Sequence, residues 1–130
     1  MEKYISILYL LFLVHNTSFA VTKTSIANGN WSSASTWSPS GVPTSTDDII
    51  INSNVILDAN IGLDPGGSLT INSGKTLIQT GSRTLNTNGT LSGSLISITN
   101  NGTFTIDEIQ SSEECGLVTI DNFGTMNVVG

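Results

Sequence analysis

The sequence ISITNNGTFTI at residues 96–106 returns as VTIDNFGTMNV at residues 118–128, without a gap and at an offset of 22 residues (96 to 118). Each copy holds two apolar–polar–apolar stretches on either side of a corner that contains Asn and Gly. Alternation at every second residue is typical of a half-buried β-strand, and Asn and Gly tolerate the positive φ of tight turns. A repeat of this length, with two strands and a fixed corner, predicts one coil of a β-solenoid.

Similar clusters occupy most of the chain after residue 20, and none of this region carries a helical period. The clusters are rich in β-branched residues, and turn-forming Gly and Asn stand between them. A looser copy of the repeat starts at Leu69, at an offset of 27 residues from Ile96 (69 to 96). The clusters that we expect to form strands are residues 49–51, 55–57, 69–71, 96–98, 104–106, 118–120 and 126–128.

The predicted fold is all-β, a parallel β-helix (β-solenoid) of short coils. One coil cannot bury its own apolar face, so stacked coils share a continuous core and pair their strands in parallel. We expect the Asn at the corner to form a ladder of side-chain amide hydrogen bonds up the stack. The alternative is an antiparallel β-sandwich in which the Asn-Gly pairs are hairpin turns. The repeat favours the solenoid, because a sandwich needs no repeated sequence.

The first twenty residues have the pattern of a signal peptide, residues 1–20. Lys3 gives a positive start, an apolar run covers residues 5–14, and Ser18-Phe19-Ala20 fits the small-x-small pattern that signal peptidase cleaves. The apolar run has about half of the length that a membrane-spanning helix needs. We therefore expect cleavage after Ala20, a mature chain that begins at Val21, no membrane span after cleavage, and a secreted or cell-surface location.

The composition narrows the classes of partner. The chain has 130 residues, a formal net charge of -6 and only four Lys and Arg residues. So few cations cannot neutralise a run of phosphates, which excludes nucleic acid as a partner and disfavours an anionic membrane surface. Cys115 is the only cysteine, so no intrachain disulfide forms, and we expect its thiol to be buried.

Residues 21–48 differ from the rest of the chain, and we expect them to form an N-terminal cap. Trp31 and Trp37 stand six residues apart in an otherwise polar segment. They are followed by Gly41-Val42-Pro43, by Asp47-Asp48 and by an isoleucine-rich strand.

Over residues 29–71 this order resembles the opening of the extracellular domain named for its eight glycines. It is equally similar to the opening of large bacterial secreted surface proteins with solenoid repeats. The resemblance implies that the segment opens and caps a β-helix. Solenoid coils are then expected over residues 49–130.

Trp31 and Trp37 have two interpretations. In the first, which we favour, they cover apolar surface that the first coil would otherwise expose. In the second they contact carbohydrate, which requires both rings to be exposed on one flat face.

The sequence contains no arrangement that is typical of catalysis. The only histidine, His15, lies in the predicted signal peptide, so the mature chain lacks a histidine base for a nucleophilic triad and ligands for a zinc site. The carboxylates are scattered, whereas glycosidases need two at a defined separation. We expect no enzyme activity and no cofactor. The alternative is a calcium site near Glu113 and Glu114, because carboxylates suit a hard cation.

These observations predict a non-enzymatic structural or adhesive module of an extracellular or cell-surface protein. Its Ser, Thr and Asn side chains would offer many weak hydrogen bonds to extracellular glycans or other cell-surface components. The chain stops at Gly130 as a strand finishes, so we expect a fragment that is truncated at its C-terminus, or self-association through the open C-terminal coil. The alternatives are the N-terminal portion of a polysaccharide-degrading β-helix enzyme and a carbohydrate-binding module that uses Trp31 and Trp37.

Overall fold

The chain folds as a parallel β-solenoid of about four turns. The computed structural model describes residues 20–88, 95–111 and 117–130, and within these ranges a short 3-10 helix at Ala34–Thr36 accompanies the strands. In chain order the strands are β1 (Thr22–Ser25), β2 (Gly29–Asn30), β3 (Trp37–Ser38), β4 (Asp48–Ile51), β5 (Val55–Leu57), β6 (Ile61–Leu63), β7 (Ser68–Ile71), β8 (Thr76–Gln79), β9 (Thr84–Thr87), β10 (Leu95–Asn100), β11 (Thr103–Ile106), β12 (Glu108–Ser111), β13 (Leu117–Asn122) and β14 (Thr125–Val128).

Three sheets form the faces of the solenoid. Sheet A has the strand order β13-β10-β7-β4-β1-β3, sheet B the order β14-β11-β8-β5-β2, and sheet C the order β12-β9-β6. In the described ranges every pairing is parallel except that of β3 with β1. The parallel pairing confirms the predicted solenoid, and the alternative of an antiparallel sandwich is wrong.

We number five successive coils by their strands. In the described ranges the first and the last coil have two strands each, so the five coils amount to about four full turns. Coil 1 contributes β1 and β2, coil 2 contributes β4 to β6, coil 3 contributes β7 to β9, coil 4 contributes β10 to β12, and coil 5 contributes β13 and β14. Coils 2, 3 and 4 thus have three strands each, whereas the repeat predicts two. The third strand lies on sheet C. In Ile61-Gly62-Leu63, for example, the two apolar side chains are buried and the glycine between them is partly exposed.

The core is built from side chains that point inward at the same height of successive strands. On sheet B, Val55 pairs with Leu77, which pairs with Phe104, and all three are buried. Because each coil covers the apolar row of the coil below, the buried residues form one continuous cluster. Its members are Trp31, Trp37, Ile49, Ile51, Val55, Leu57, Ile61, Leu63, Leu69, Ile71, Leu77, Leu85, Ile96, Ile98, Phe104 and Ile106.

One rung of the expected ladder of asparagine side chains is present at the corner after sheet A, between coils 4 and 5. The fully buried Asn100 donates through Nδ2 to Asn122 Oδ1 at 2.8 Å and to the backbone oxygen of Thr125 at 2.8 Å. Its Oδ1 accepts from the backbone N–H of Gly102 at 3.1 Å. One amide thus satisfies the polar groups of a corner and ties coil 4 to coil 5.

The glycine of this corner is required for a different reason from the one that the sequence suggests. Gly74, in coil 3, does have a positive φ of 71°, but Gly102 and Gly124 do not. A Cβ on Gly102 would instead collide with the backbone oxygens of Lys75 and Asn72 in coil 3. A Cβ on Gly124 would collide with the backbone of coil 4. Stacked corners approach so closely that no side chain fits between them.

The looser copy at Leu69 is in the predicted register on sheet B and shifted by two residues on sheet A. Leu77 pairs with Phe104, at the predicted offset of 27, but Leu69 pairs with Ile98. The cause is the corner, because four residues separate β7 from β8 and two separate β10 from β11. The solenoid absorbs changes of coil length in its corners and keeps the strands aligned.

Residues 21–48, predicted as a cap, contain both the first coil and an edge element. Strands β1 and β2 pair in parallel with β4 and β5, so coil strands already begin at Thr22, ahead of the predicted start at residue 49. Strand β3 then lies antiparallel on the outer side of β1. In the described part of the chain, no helix has the length and apolar character needed to cross a membrane.

Candidate functional site

Trp31 and Trp37 pack against each other at the N-terminal end of the core. They are 3% and 1% exposed, their ring centroids lie 5.0 Å apart and their planes meet at 73°. Trp37 Nε1 donates to the backbone oxygen of Trp31 at 2.9 Å, so the buried indole N–H is satisfied. Neither ring offers a face on which a sugar can stack. The carbohydrate contact predicted at these residues lacks the exposed surface it requires, and their burial fits the cap instead.

Asp47 and Asp58 bind the N-terminal segment to coil 2. Asp58 accepts from the backbone N–H of Ser32 at 3.0 Å and also from the Ser32 hydroxyl. Burial alone raises the pKa of Asp58, but the hydrogen bonds from Ser32, a bond to its own backbone and the charge of Arg83 outweigh burial, so its pKa lies below 3.8. Burial likewise raises the pKa of Asp47, and hydrogen bonds from Thr44 and Val21, with the charge of Lys23, lower it below 3.8 overall. Both carboxylates are therefore ionised structural anchors.

Four of the other described carboxylates are also hydrogen-bonded within the fold, and they do not converge on a common point. Their donors are Ser68 for Asp48, Ser45 and Asn88 for Asp64, Gln79 for Asp107, and Gln110 for Glu108. Over residues 20–88, 95–111 and 117–130, no three His, Cys, Asp or Glu side chains stand close enough to hold a metal ion. Glu113 and Glu114, where the sequence predicts calcium as an alternative, lie outside the described residues, as does Cys115.

Sheet A presents two aligned columns of outward side chains, which together we call the sheet A outer face. The first column runs through Thr22, Asp48, Ser68, Ser97 and Thr119, and the second through Thr24, Ile50, Thr70, Thr99 and Asp121. Seven of these ten positions carry a hydroxyl group. Neighbouring strands lie about 4.8 Å apart, and outward residues of one strand about 6.6 Å apart. The face is therefore a grid of regular spacing over the five coils, in which nine of the ten side chains can form hydrogen bonds and Ile50 cannot.

Sheet B has a more apolar outward surface. Ile56 and Ile78 stand side by side in register and are exposed, and a shallow groove around them is lined by Asn54, Thr76 and Gln79 among others. One column of this sheet, Thr76, Thr103 and Thr125, repeats a hydroxyl on three successive coils. Sheet B thus carries a threonine column of the same kind as those of sheet A, beside an isoleucine pair.

Coil 5 leaves apolar side chains uncovered. Leu117 is 63% and Phe123 76% exposed, and Val128 on β14 is also exposed. In the described part of the chain, β13 and β14 pair on one side only, with β10 and β11. Their other edges carry unpaired backbone N–H and C=O groups, to which another strand can add.

Sequence reasoning identifies the outward residues of each strand but not the sheet A outer face as a whole. The signal is the Ser or Thr beside each buried residue, as in Ser68-Leu69-Thr70 and Ser97-Ile98-Thr99. Alignment into columns depends on the register between coils, and the shifted corner of coil 3 hides that register.

The fold and its surfaces define the class of this protein as a parallel, three-faced β-solenoid with a tryptophan-filled N-terminal end. Comparisons with protein-family models, curated proteins and solved structures find no match to this chain.

Proposed function

We propose that this chain is a secreted, non-enzymatic structural and adhesive module of an extracellular or cell-surface protein, and that the sheet A outer face binds glycans. The observation that carries the proposal is the alignment of seven hydroxyl groups in two columns, contributed by four of the five coils, with Asp48 and Ile50 of coil 2 between them. A hydroxyl both donates and accepts hydrogen bonds, as the hydroxyls of a sugar do. Each contact is weak, and repetition over the coils makes the sum useful for adhesion.

Three further features support this proposal. Six of the seven described side-chain carboxylates are hydrogen-bonded within the fold, as Asp58 is to Ser32, which suits a structural role better than proton transfer. The low content of Lys and Arg suits uncharged partners better than phosphates. The segment at residues 29–71 resembles the opening of large secreted surface proteins, and residues 1–20 have the pattern of a signal peptide.

The test is binding of residues 21–130 to insoluble cellulose, chitin and peptidoglycan particles, each measured separately as an adsorption isotherm. The triple variant Thr24→Val, Thr70→Val, Thr99→Val removes one column of hydroxyls while keeping shape and β-propensity. Three hydroxyls at about 0.5 kcal/mol each amount to about 1.5 kcal/mol, or roughly tenfold weaker binding to the particle that wild type prefers. Incubation with the same particles should release no reducing sugars.

The matched control is Thr76→Val, Thr103→Val, Thr125→Val, which removes the same number of hydroxyls from the column on sheet B. We expect it to bind as wild type does. Equal loss in both triple variants, no loss in the sheet A variant, or no binding by wild type to any particle would each reject the sheet A outer face as a glycan surface. Release of reducing sugars would reject the non-enzymatic assignment.

The same proposal includes self-association of residues 21–130 through coil 5, because within the described residues β13 and β14 each pair on one side only and carry exposed apolar residues. Sedimentation of residues 21–130 at increasing concentration should show a growing dimer fraction. A lysine beside a strand edge discourages strand addition, so Val128→Lys should reduce that fraction. Ile56→Lys, on an exposed site away from the edge, should leave it unchanged. A monomer at all concentrations would refute self-association.

A further inference from the structure

The start of the described chain is held by a buried carboxylate. The backbone N–H of Val21 donates to Asp47 Oδ1 at 3.2 Å, and the N–H of Thr44 donates to Asp47 Oδ2 at 2.7 Å. Asp47 is only 4% exposed. The backbone oxygen of Val21 accepts from the N–H of Asp48 at 3.1 Å, so Val21 is fixed on both sides of its backbone.

Val21 is also the residue at which the mature chain is predicted to begin. Hydrolysis of the bond between Ala20 and Val21 by signal peptidase would consume one water molecule. The C–N bond breaks, the water oxygen becomes part of a carboxylate on Ala20, and both water hydrogens end on the nitrogen of Val21, which becomes an α-ammonium. The amide N–H that now contacts Asp47 would thereby become a cation, without any movement of the nitrogen.

We propose that Asp47 is the receptor for the α-ammonium group that cleavage creates on Val21, and that processing locks coil 1 onto coil 2. The inference rests on the secretion that we propose above. A charged donor on a carboxylate forms a hydrogen bond about twice as strong as a neutral donor does. The site suits the cation because the carboxylate is buried and is already oriented by Thr44.

The other charges around this site act in known directions. Lys23 lies close enough to lower the pKa of Asp47, but its ammonium donates to the backbone oxygens of Pro39 and Ser40 at 2.9 and 3.2 Å. Asp48 follows Asp47 directly in the chain and accepts a hydrogen bond from Ser68. Asp64, which follows β6, accepts a hydrogen bond from Ser45, two residues before Asp47. The additional carboxylates also favour a cation at Val21, so their charges reinforce the expected effect.

The test compares two recombinant chains that differ by one residue. Residues 21–130 place the α-ammonium on Val21, whereas residues 20–130 retain the amide bond of Val21 and carry their ammonium on the exposed Ala20. At pH 7 we expect the shorter chain to have the higher Tm, by about 4 °C. In the Asp47→Asn background the difference between the two chains should disappear.

The pH dependence gives a second readout that needs no variant. A carboxylate partner raises the pKa of the α-ammonium above its unfolded value of about 7.7–8.0. Its stabilisation is therefore complete below that unfolded value and is lost as pH rises through the folded one. The difference in Tm between the two chains should be full at pH 7 and absent at about pH 11.

Equal Tm values at pH 7, a difference that persists at high pH, or an unchanged difference in Asp47→Asn would each overturn the inference. The recombinant comparison does not depend on export. Export is tested separately, by sequencing the N-terminus of the protein recovered outside the cell. A start other than Val21 would refute the processing step, and an unexported chain would refute the proposed secretion, while the Tm comparison decides whether Asp47 can receive the ammonium.

Discussion

Replacing Asn100 by leucine keeps the volume of the side chain and removes three hydrogen bonds from the corner between coils 4 and 5. The lost partners are the Asn122 side chain, the backbone oxygen of Thr125 and the backbone N–H of Gly102. A net value of about 1 kcal/mol for each gives about 3 kcal/mol in total. Two of the three bonds reach coil 5, and coils of a solenoid contact only their neighbours, so about 2 kcal/mol of this loss should fall on the docking of coil 5.

Native-state hydrogen exchange read by mass spectrometry measures that docking. A loss of about 2 kcal/mol should raise the exchange rate of amides in residues 117–128 by roughly 30-fold. Amides in coils 2 and 3 should exchange at the wild-type rate. Asn127→Leu is the control, because Asn127 is exposed and makes one long bond, of 3.3 Å, to Thr105 Oγ1. Uniform acceleration along the chain, or equal effects of both substitutions, would refute the independence of the coils.

Three further changes test the fold. Gly102→Ala should lower the unfolding free energy by about 1–3 kcal/mol in urea titrations, because its Cβ meets the backbone of coil 3. Gly62→Ala is the control and should have little effect, because no atom lies closer than 3.7 Å to its Cβ; equal losses in the two variants would refute the argument. Asp58 has a lowered pKa, so its stabilisation is present above 3.8 and is lost as pH falls through the folded value; Tm should fall less steeply between pH 5 and 2 in Asp58→Asn than in wild type, and parallel curves would contradict this. Trp37→Phe should cost about 1 kcal/mol through loss of its bond to Trp31 and should leave adsorption to polysaccharide particles unchanged; weaker adsorption would restore the tryptophans as a glycan site.

The repeat at residues 96–106 and 118–128 is sufficient to predict the solenoid, because its strands pair in that register along their whole length. The Asn at its corner also forms the predicted rung. Both features can be predicted from local sequence, because the alternation of apolar and polar residues and the corner residues determine strand and turn within a single coil.

Other features depend on contacts between coils, which local patterns do not encode. The strands of sheet C are short and differ from one another, as Ile61–Leu63 and Glu108–Ser111 do, so no repeat marks them. The burial of Trp31 and Trp37 depends on the path of β3 across the end of the core. The local sequence indicates that Gly102 is a turn residue. The structure shows a different requirement, because the backbone of coil 3 leaves no room for a side chain at this position.

The order of pairing also bears on how the chain can acquire its structure. On sheet A each of β4, β7, β10 and β13 pairs with the strand one coil earlier in the sequence. In the described part of the chain, each coil after the first can therefore add to strands that precede it in the sequence, while coil 1 is completed when β3 and β4 follow. From Thr22 to Thr119 the first column of the sheet A outer face covers 119 − 22 = 97 residues in four steps, or about 24 residues per coil. Synthesis at about 5–20 residues per second delivers such a coil in roughly 1–5 s. A chain of this design can assemble from its N-terminus as it emerges from a ribosome, with one unfinished coil exposed at a time.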